Sequence, residues 1–170
     1  MKKIYLLFTV VLLLAGCSSS ATYEKKAYFE LSYLNYAWGY VRQGWLIDED
    51  GRVLSFHNPK TWNSDEDGGY ITQDALSNNI LYCDSTIRTI PLATLSHYRS
   101  LIPSALSGKI SDNGWVGCDG GTVSYICYYY DSTKGKYKKV VLKQSGDYSC
   151  ENVSASAQSI ITWMESISKQ

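Results

Sequence analysis

The chain has no surplus of either charge: its 170 residues carry 16 basic and 16 acidic side chains. Nucleic-acid-binding domains usually show a clustered basic excess, so this balance argues against that class. The nearest basic cluster, Lys134, Lys136, Lys138 and Lys139, surrounds an expected hairpin turn and reads as a solvated loop and edge strand. No CxxC pair occurs, which leaves a structural zinc site without support. A nucleophile-elbow serine, HExxH, a phosphate loop and GxGxxG are all missing as well. Internal repeats and low-complexity segments are absent too. No cofactor is expected.

The opening residues are the most specific feature that is present. Lys2 and Lys3 precede an apolar run, Ile4 to Leu14, too short to stay across a bilayer. Leu14-Ala15-Gly16-Cys17 follows, and the whole reads as a signal peptide. Those four residues resemble the lipobox of bacterial lipoproteins. The resemblance covers residues 1–20 and implies cleavage before Cys17, a diacylglyceryl group on its thiol and a palmitate-type acyl group on the new amino terminus. Two or three acyl chains hold far more firmly than one, each buried methylene contributing about 0.8 kcal/mol. Ser18, rather than Asp, resembles the outer-membrane sorting pattern of enteric Gram-negative bacteria. The expected location is therefore the cell envelope, on the outer membrane in a Gram-negative organism, with the membrane itself as a partner through the lipid.

This divides the chain into residues 1–16 as a cleaved signal, 17–26 as the lipidated cysteine with a short polar tether, and 27–170 as one globular domain. That length is enough for one core. With Cys17 claimed by lipid, Cys83, Cys118, Cys127 and Cys150 remain, an even set that in an exported protein predicts two disulfides. Thr122–Tyr130 and Lys136–Lys143 read as two strands of a hairpin. Extending that register past its open end brings Cys118 beside Ser149 and next to Cys150, which favours Cys118–Cys150 and leaves Cys83 to pair with Cys127.

Aromatic residues crowd the region from Tyr28 to Trp45 and favour strands. Asp50-Gly51 between Trp45–Asp48 and Arg52–His57 marks a second hairpin. Helices are expected over Thr72–Leu81, from Pro91 through Leu92, Leu95 and Ile102, and at the C-terminus. There Asn152 or Ser154 caps a stripe of Val153, Ala157, Ile160, Ile161, Met164 and Ile167. The expectation is a small α+β domain with antiparallel hairpins, two or three helices, an amphipathic C-terminal helix and two disulfides.

Three groups of residues invite a chemical reading. Asn63, Asp65, Asp67 and Asp74 have the spacing of a calcium loop with Gly68 at its turn, but Ile71 occupies a ligand position and the last ligand is Asp instead of Glu. A surface loop that caps the next helix accounts for them as well. Cys118 lies between Gly117 and Asp119, but a thiol nucleophile needs a histidine, and only His57 and His97 exist. Trp38, Tyr40, Trp45, Trp62 and Trp115 supply flat apolar faces; large aromatics mostly fill cores, yet Trp45, Trp62 and Trp115 stand beside turn signals and are the candidate ligand contacts.

The expected function is accordingly a lipid-anchored, non-enzymatic envelope protein that binds a protein or cell-wall component. The alternatives are a carbohydrate-binding module using exposed tryptophans, and a hydrolase without a local motif. Nucleic acid is not an expected partner.

Overall fold

In a computed structural model, residues 25–66, 68–111 and 114–169 are described. Strand β1 (Ala27–Asn35) pairs antiparallel with β2 (Val41–Asp48), which turns through Asp50-Gly51 into β3 (Arg52–His57). The turn is built as its residues suggest. Gly51 takes φ +79°, where an added Cβ would meet the Ile90 carbonyl oxygen at 2.4 Å. The buried Asp48 carboxylate accepts the Asp50 and Arg52 backbone N–H groups at 3.0 and 2.9 Å.

After the short β4 (Tyr70–Ile71), helix α1 (Gln73–Leu81) begins at Thr72, whose hydroxyl accepts the Ala75 N–H at 3.1 Å. β5 (Ser85–Thr89) returns to the outer side of β3. Helix α2 (Leu92–Leu106) follows Pro91 and runs through Pro103 without stopping. Next come β6 (Gly114–Trp115), the long hairpin of β7 (Thr122–Asp131) and β8 (Lys136–Gly146), then β9 (Tyr148–Glu151). Helix α3 (Ala155–Ser168) closes the chain, capped by the Ser154 hydroxyl on the Ala157 N–H at 3.3 Å. Of the expected stripe, Ala157, Ile160, Ile161, Met164 and Ile167 are buried, while Val153 stays outside.

The sheet corrects the α+β expectation. All nine strands join one antiparallel sheet in the order β5-β3-β2-β1-β7-β8-β9-β6, with β4 on β8, and three short helices lie against it. The two hairpins are not separate pieces, because β1 pairs with β7 from Phe29↔Cys127 to Leu34↔Thr122 and fuses them. Successive residues of a strand point to opposite faces, and here both faces are covered. Phe29, Ile47, Val53, Cys127 and Leu142 pack on α2 and α3. Their neighbours Leu46, Leu54, Ile126 and Tyr128 pack on α1 and Trp62. Trp163 of α3 stacks on Tyr98 at 4.1 Å and meets Phe29 in a T-shaped contact at 5.0 Å. No described helix is long and apolar enough to cross a membrane.

The expected disulfides are also corrected: Cys83, Cys118, Cys127 and Cys150 are all free thiols. Cys127 belongs to the α2/α3 side of the sheet and Cys83 packs on the α1 side, so the sheet itself stands between them. The other pair fails because the hairpin does not extend as a straight ladder. Its register slips by one between Tyr125 and Ile126, and β8 ends at Gly146, φ +126°. The chain then folds back so that Cys150 pairs with Gln144 of β8, leaving Cys118 exposed in the loop before β7.

Candidate functional site

The long strands give the sheet two ends. One holds the start of β1, the Asp50-Gly51 turn and the β7–β8 turn; the other holds the β1–β2 turn, the start of β7 and the β8–β9 reversal. At the second end the chain exposes a group of large apolar side chains. Trp38 is 85% exposed, Trp115 79%, and Tyr36 and Val116 each 69%. Tyr40 stands beside Tyr36 with ring centroids 5.7 Å apart, and Trp115 meets Tyr148 at 6.5 Å.

The loops carrying these rings are anchored from below. Asp147 accepts the backbone N–H groups of Gly120 and Gly121 at 2.8 and 3.0 Å, and the Val116 N–H donates to its carbonyl at 3.1 Å. Asn35 donates to the Asp119 carbonyl at 3.2 Å and to the Tyr33 hydroxyl at 3.0 Å. A groove of about 460 Å³ runs between the two aromatic loops, with Asn35, Tyr36, Trp115, Asp119 and Asp147 along it. Apolar rings on a hydrogen-bonded base are suited to recognition, since they bury large area with few rotatable bonds.

The three candidate tryptophans separate. Trp115 belongs to this aromatic end, whereas Trp45 is only 6% exposed and packs beneath α2 and α3. Trp62 is half-buried, its ring tilted against Phe56 at 4.2 Å with the Arg42 guanidinium 5.3 Å above it. Sequence reasoning placed all three beside turns, but only the strand face decides which rings escape the core. Tyr36 and Val116 were missed; their signal was adjacency to Trp38 and Trp115.

The calcium-spaced residues perform structural tasks. Asn63 binds the Ala75 carbonyl at 3.1 Å and Asn79 Oδ1 at 3.0 Å, Asp65 pairs with Lys139 at 2.7 Å, and Asp74 sits in the first turn of α1. Asp67 lies outside the described residues. Among those described, no three His, Cys, Asp or Glu side chains gather as a metal site. Burial raises the Asp65 carboxyl, but its hydrogen bond to Lys139 and that lysine's charge outweigh this and lower it. The same acidic loop receives the other lysines: Lys136 pairs with Glu66, Lys138 binds the Gly68 carbonyl, and Lys134 lies over the Tyr70 ring. The basic and acidic runs are thus two sides of one clamp that holds Asp65, Glu66, Gly68 and Tyr70 against the β7–β8 hairpin.

His57 meets Gln43 at 3.0 Å and Asn58 at 3.5 Å, and His97 packs on Tyr98. Neither is brought to Cys118, which lies at the aromatic end. Cys17 and the residues resembling a lipobox lie outside the described residues. A further polar group escaped notice altogether. Glu30, Arg42 and Tyr128 meet inside the α1 side of the sheet, with Tyr128 donating to Glu30 Oε2. Burial, together with the Glu30 charge, raises the Tyr128 phenol well above its ordinary value. A lone Glu in the apolar stretch Phe29-Glu30-Leu31 was its one trace in sequence. No family model, curated protein or solved structure matches the chain.

Proposed function

We propose that this is a lipid-anchored cell-envelope protein that binds another protein through the aromatic end of its sheet. The observation that carries the reading is the concentration of Tyr36, Trp38, Trp115 and Val116, all more than two-thirds exposed, on the β1–β2 turn and on β6 with the residue after it. Such a surface has a solubility cost that a partner would relieve. Tyr and Trp are also the residues that most often dominate protein interfaces.

Ring geometry favours a contoured protein surface over a flat sugar. The Tyr36 and Tyr40 planes are inclined by 52° and those of Trp115 and Tyr148 by 71°, so neither pair forms a coplanar platform. The expected lipid at Cys17 would tether the start of β1, whereas the aromatic loops follow its far end. Nine residues of strand separate the two, about 27 Å at strand rise. The aromatic end would then face away from the anchoring membrane.

A photo-crosslinking residue placed at Trp38 or Trp115 in living cells tests this. The expected result is a discrete protein adduct that the exposed edge position Ile87 does not yield. Alanine at the other tryptophan should remove that adduct without changing the melting temperature. Adducts equal to those from Ile87, or saturable glycan binding lost with the same replacements, would overturn the protein reading.

A further inference from the structure

A second concave site lies at the other end of the sheet. The β1–β7 pairing stops at Phe29↔Cys127, yet β7 continues to Asp131. Between the start of β1, this extension of β7 and helix α2 opens a cleft of about 760 Å³. That volume suits a small organic ligand, for which pockets of about 300–1,000 Å³ are usual.

Its lining has an unusual composition. Tyr28, Tyr129 and Tyr130 contribute, together with Tyr128 and Tyr137, each only 3% exposed, and Gln73, whose amide donates to the Lys25 carbonyl at 2.8 Å. The charged lining residues are Lys26 and Arg99, with no carboxylate between them. Lys26 already faces Glu49 across the rim at 3.9 Å, which offsets much of its charge. Arg99 is exposed and held in place: its guanidinium lies 4.9 Å from the Tyr28 ring centre and donates one bond to the Tyr28 hydroxyl at 3.0 Å. A guanidinium has five N–H donors, so that bond orients the fork and leaves donors for an anion. Tyr130, about half exposed, is inclined to Tyr137 at 5.1 Å and offers both a ring face and a hydroxyl.

Each feature answers one part of a ligand. The positioned cation suits a carboxylate, the exposed Tyr130 phenol suits a neighbouring hydroxyl, and ring faces suit the C–H surface of a pyranose. A neutral sugar would leave Arg99 without a counter-charge, and a bare anion would leave the rings without a purpose. We propose that this cleft binds a small acidic saccharide, its carboxylate on Arg99 and its ring against Tyr28 and Tyr130. The site is separate from the aromatic end and does not depend on its role.

Calorimetric titration of the mature protein in detergent tests the assignment with three probes: a disaccharide of glucuronic acid and N-acetylglucosamine, neutral di-N-acetylglucosamine, and inorganic phosphate. The acidic disaccharide should bind saturably, and the other two at least about tenfold more weakly, as expected when a charged hydrogen bond or a ring contact is missing. Arg99→Gln and Tyr130→Leu should each weaken it by a similar factor, Lys26→Gln by less, with melting temperatures unchanged. Trp38→Ala and Trp115→Ala should leave it intact. Phosphate binding as tightly as the disaccharide would reduce the cleft to an anion site and overturn the proposal. So would equal binding of the neutral sugar, loss of binding in the tryptophan variants, or no saturation at millimolar concentration.

Discussion

Arg42 reaches within 3.6 Å of Glu30 across the α1 face of the sheet, and Tyr128 donates to the other carboxylate oxygen. Both charged side chains are almost wholly withdrawn from water, and Arg42 Nε has no partner there. A buried pair of this kind is fragile when halved, since either survivor is then an uncompensated charge, at a cost of about 3–5 kcal/mol. Replacing both partners by apolar residues of similar size removes that penalty. Glu30→Leu and Arg42→Met should therefore each lower the urea midpoint sharply, while the double variant recovers most of the loss. A double variant as unstable as the two losses added would show that the charges do not act as a pair.

The cysteines offer a direct check on the packing. Cys118 is exposed, while Cys127 is sealed under α2 and α3 and Cys83 is half-buried with its thiol on the Asn79 carbonyl at 3.4 Å. A thiol reagent added to the native protein should label Cys118 within minutes, and Cys127 only after denaturation. Recovery of a Cys83–Cys127 linked peptide under non-reducing conditions would contradict the placement of these residues on opposite faces.

Burial pushes the thiols of both Cys127 and Cys83 up to about 12. In the unfolded chain a thiol ionises near its ordinary value of about 8.5. Folding therefore favours the protonated form. The resulting stability is fully present below the unfolded value and is lost as pH rises toward the folded one. The urea midpoint should fall from about pH 8.5 upward, and Cys127→Ala, though less stable at neutral pH, should show a shallower fall. An identical slope in that variant would remove Cys127 from the account.

Local features of the fold were open to reading, and distant ones were not. The helical stripe from Ala157 to Ile167 and the Asp50-Gly51 turn are each decided within a few residues, and both formed, though Val153 at the head of the expected stripe stayed outside. The fusion of β1 with β7 joins Phe29 to Cys127, a contact that no local periodicity encodes. β5 was invisible because Ser85–Thr89 is an edge strand with little buried side chain. The disulfide pairing failed for a related reason: a single bulge and the reversal at Gly146 are enough to misplace an extrapolated register. Aromatic density pointed toward the candidate site, but telling Trp115 from Trp45 required knowing which residues the helices cover.

That distinction yields the sharpest test of the surface. Trp45 and Trp163 are 6% and 8% exposed within the core on the α2/α3 side, whereas Trp38 and Trp115 are 85% and 79% exposed at the far end. Truncating a buried aromatic to alanine removes transfer energy and leaves a cavity, typically about 3–5 kcal/mol. Truncating an exposed one usually changes stability by no more than about 0.5 kcal/mol. Chemical denaturation of the four single alanine variants should therefore divide them into two classes. Acrylamide should also quench the fluorescence of Trp38 and Trp115 far more readily than that of the buried pair. If Trp38→Ala or Trp115→Ala proved as destabilising as Trp45→Ala, those rings would be part of the core, and the aromatic end would no longer be a surface available to a partner.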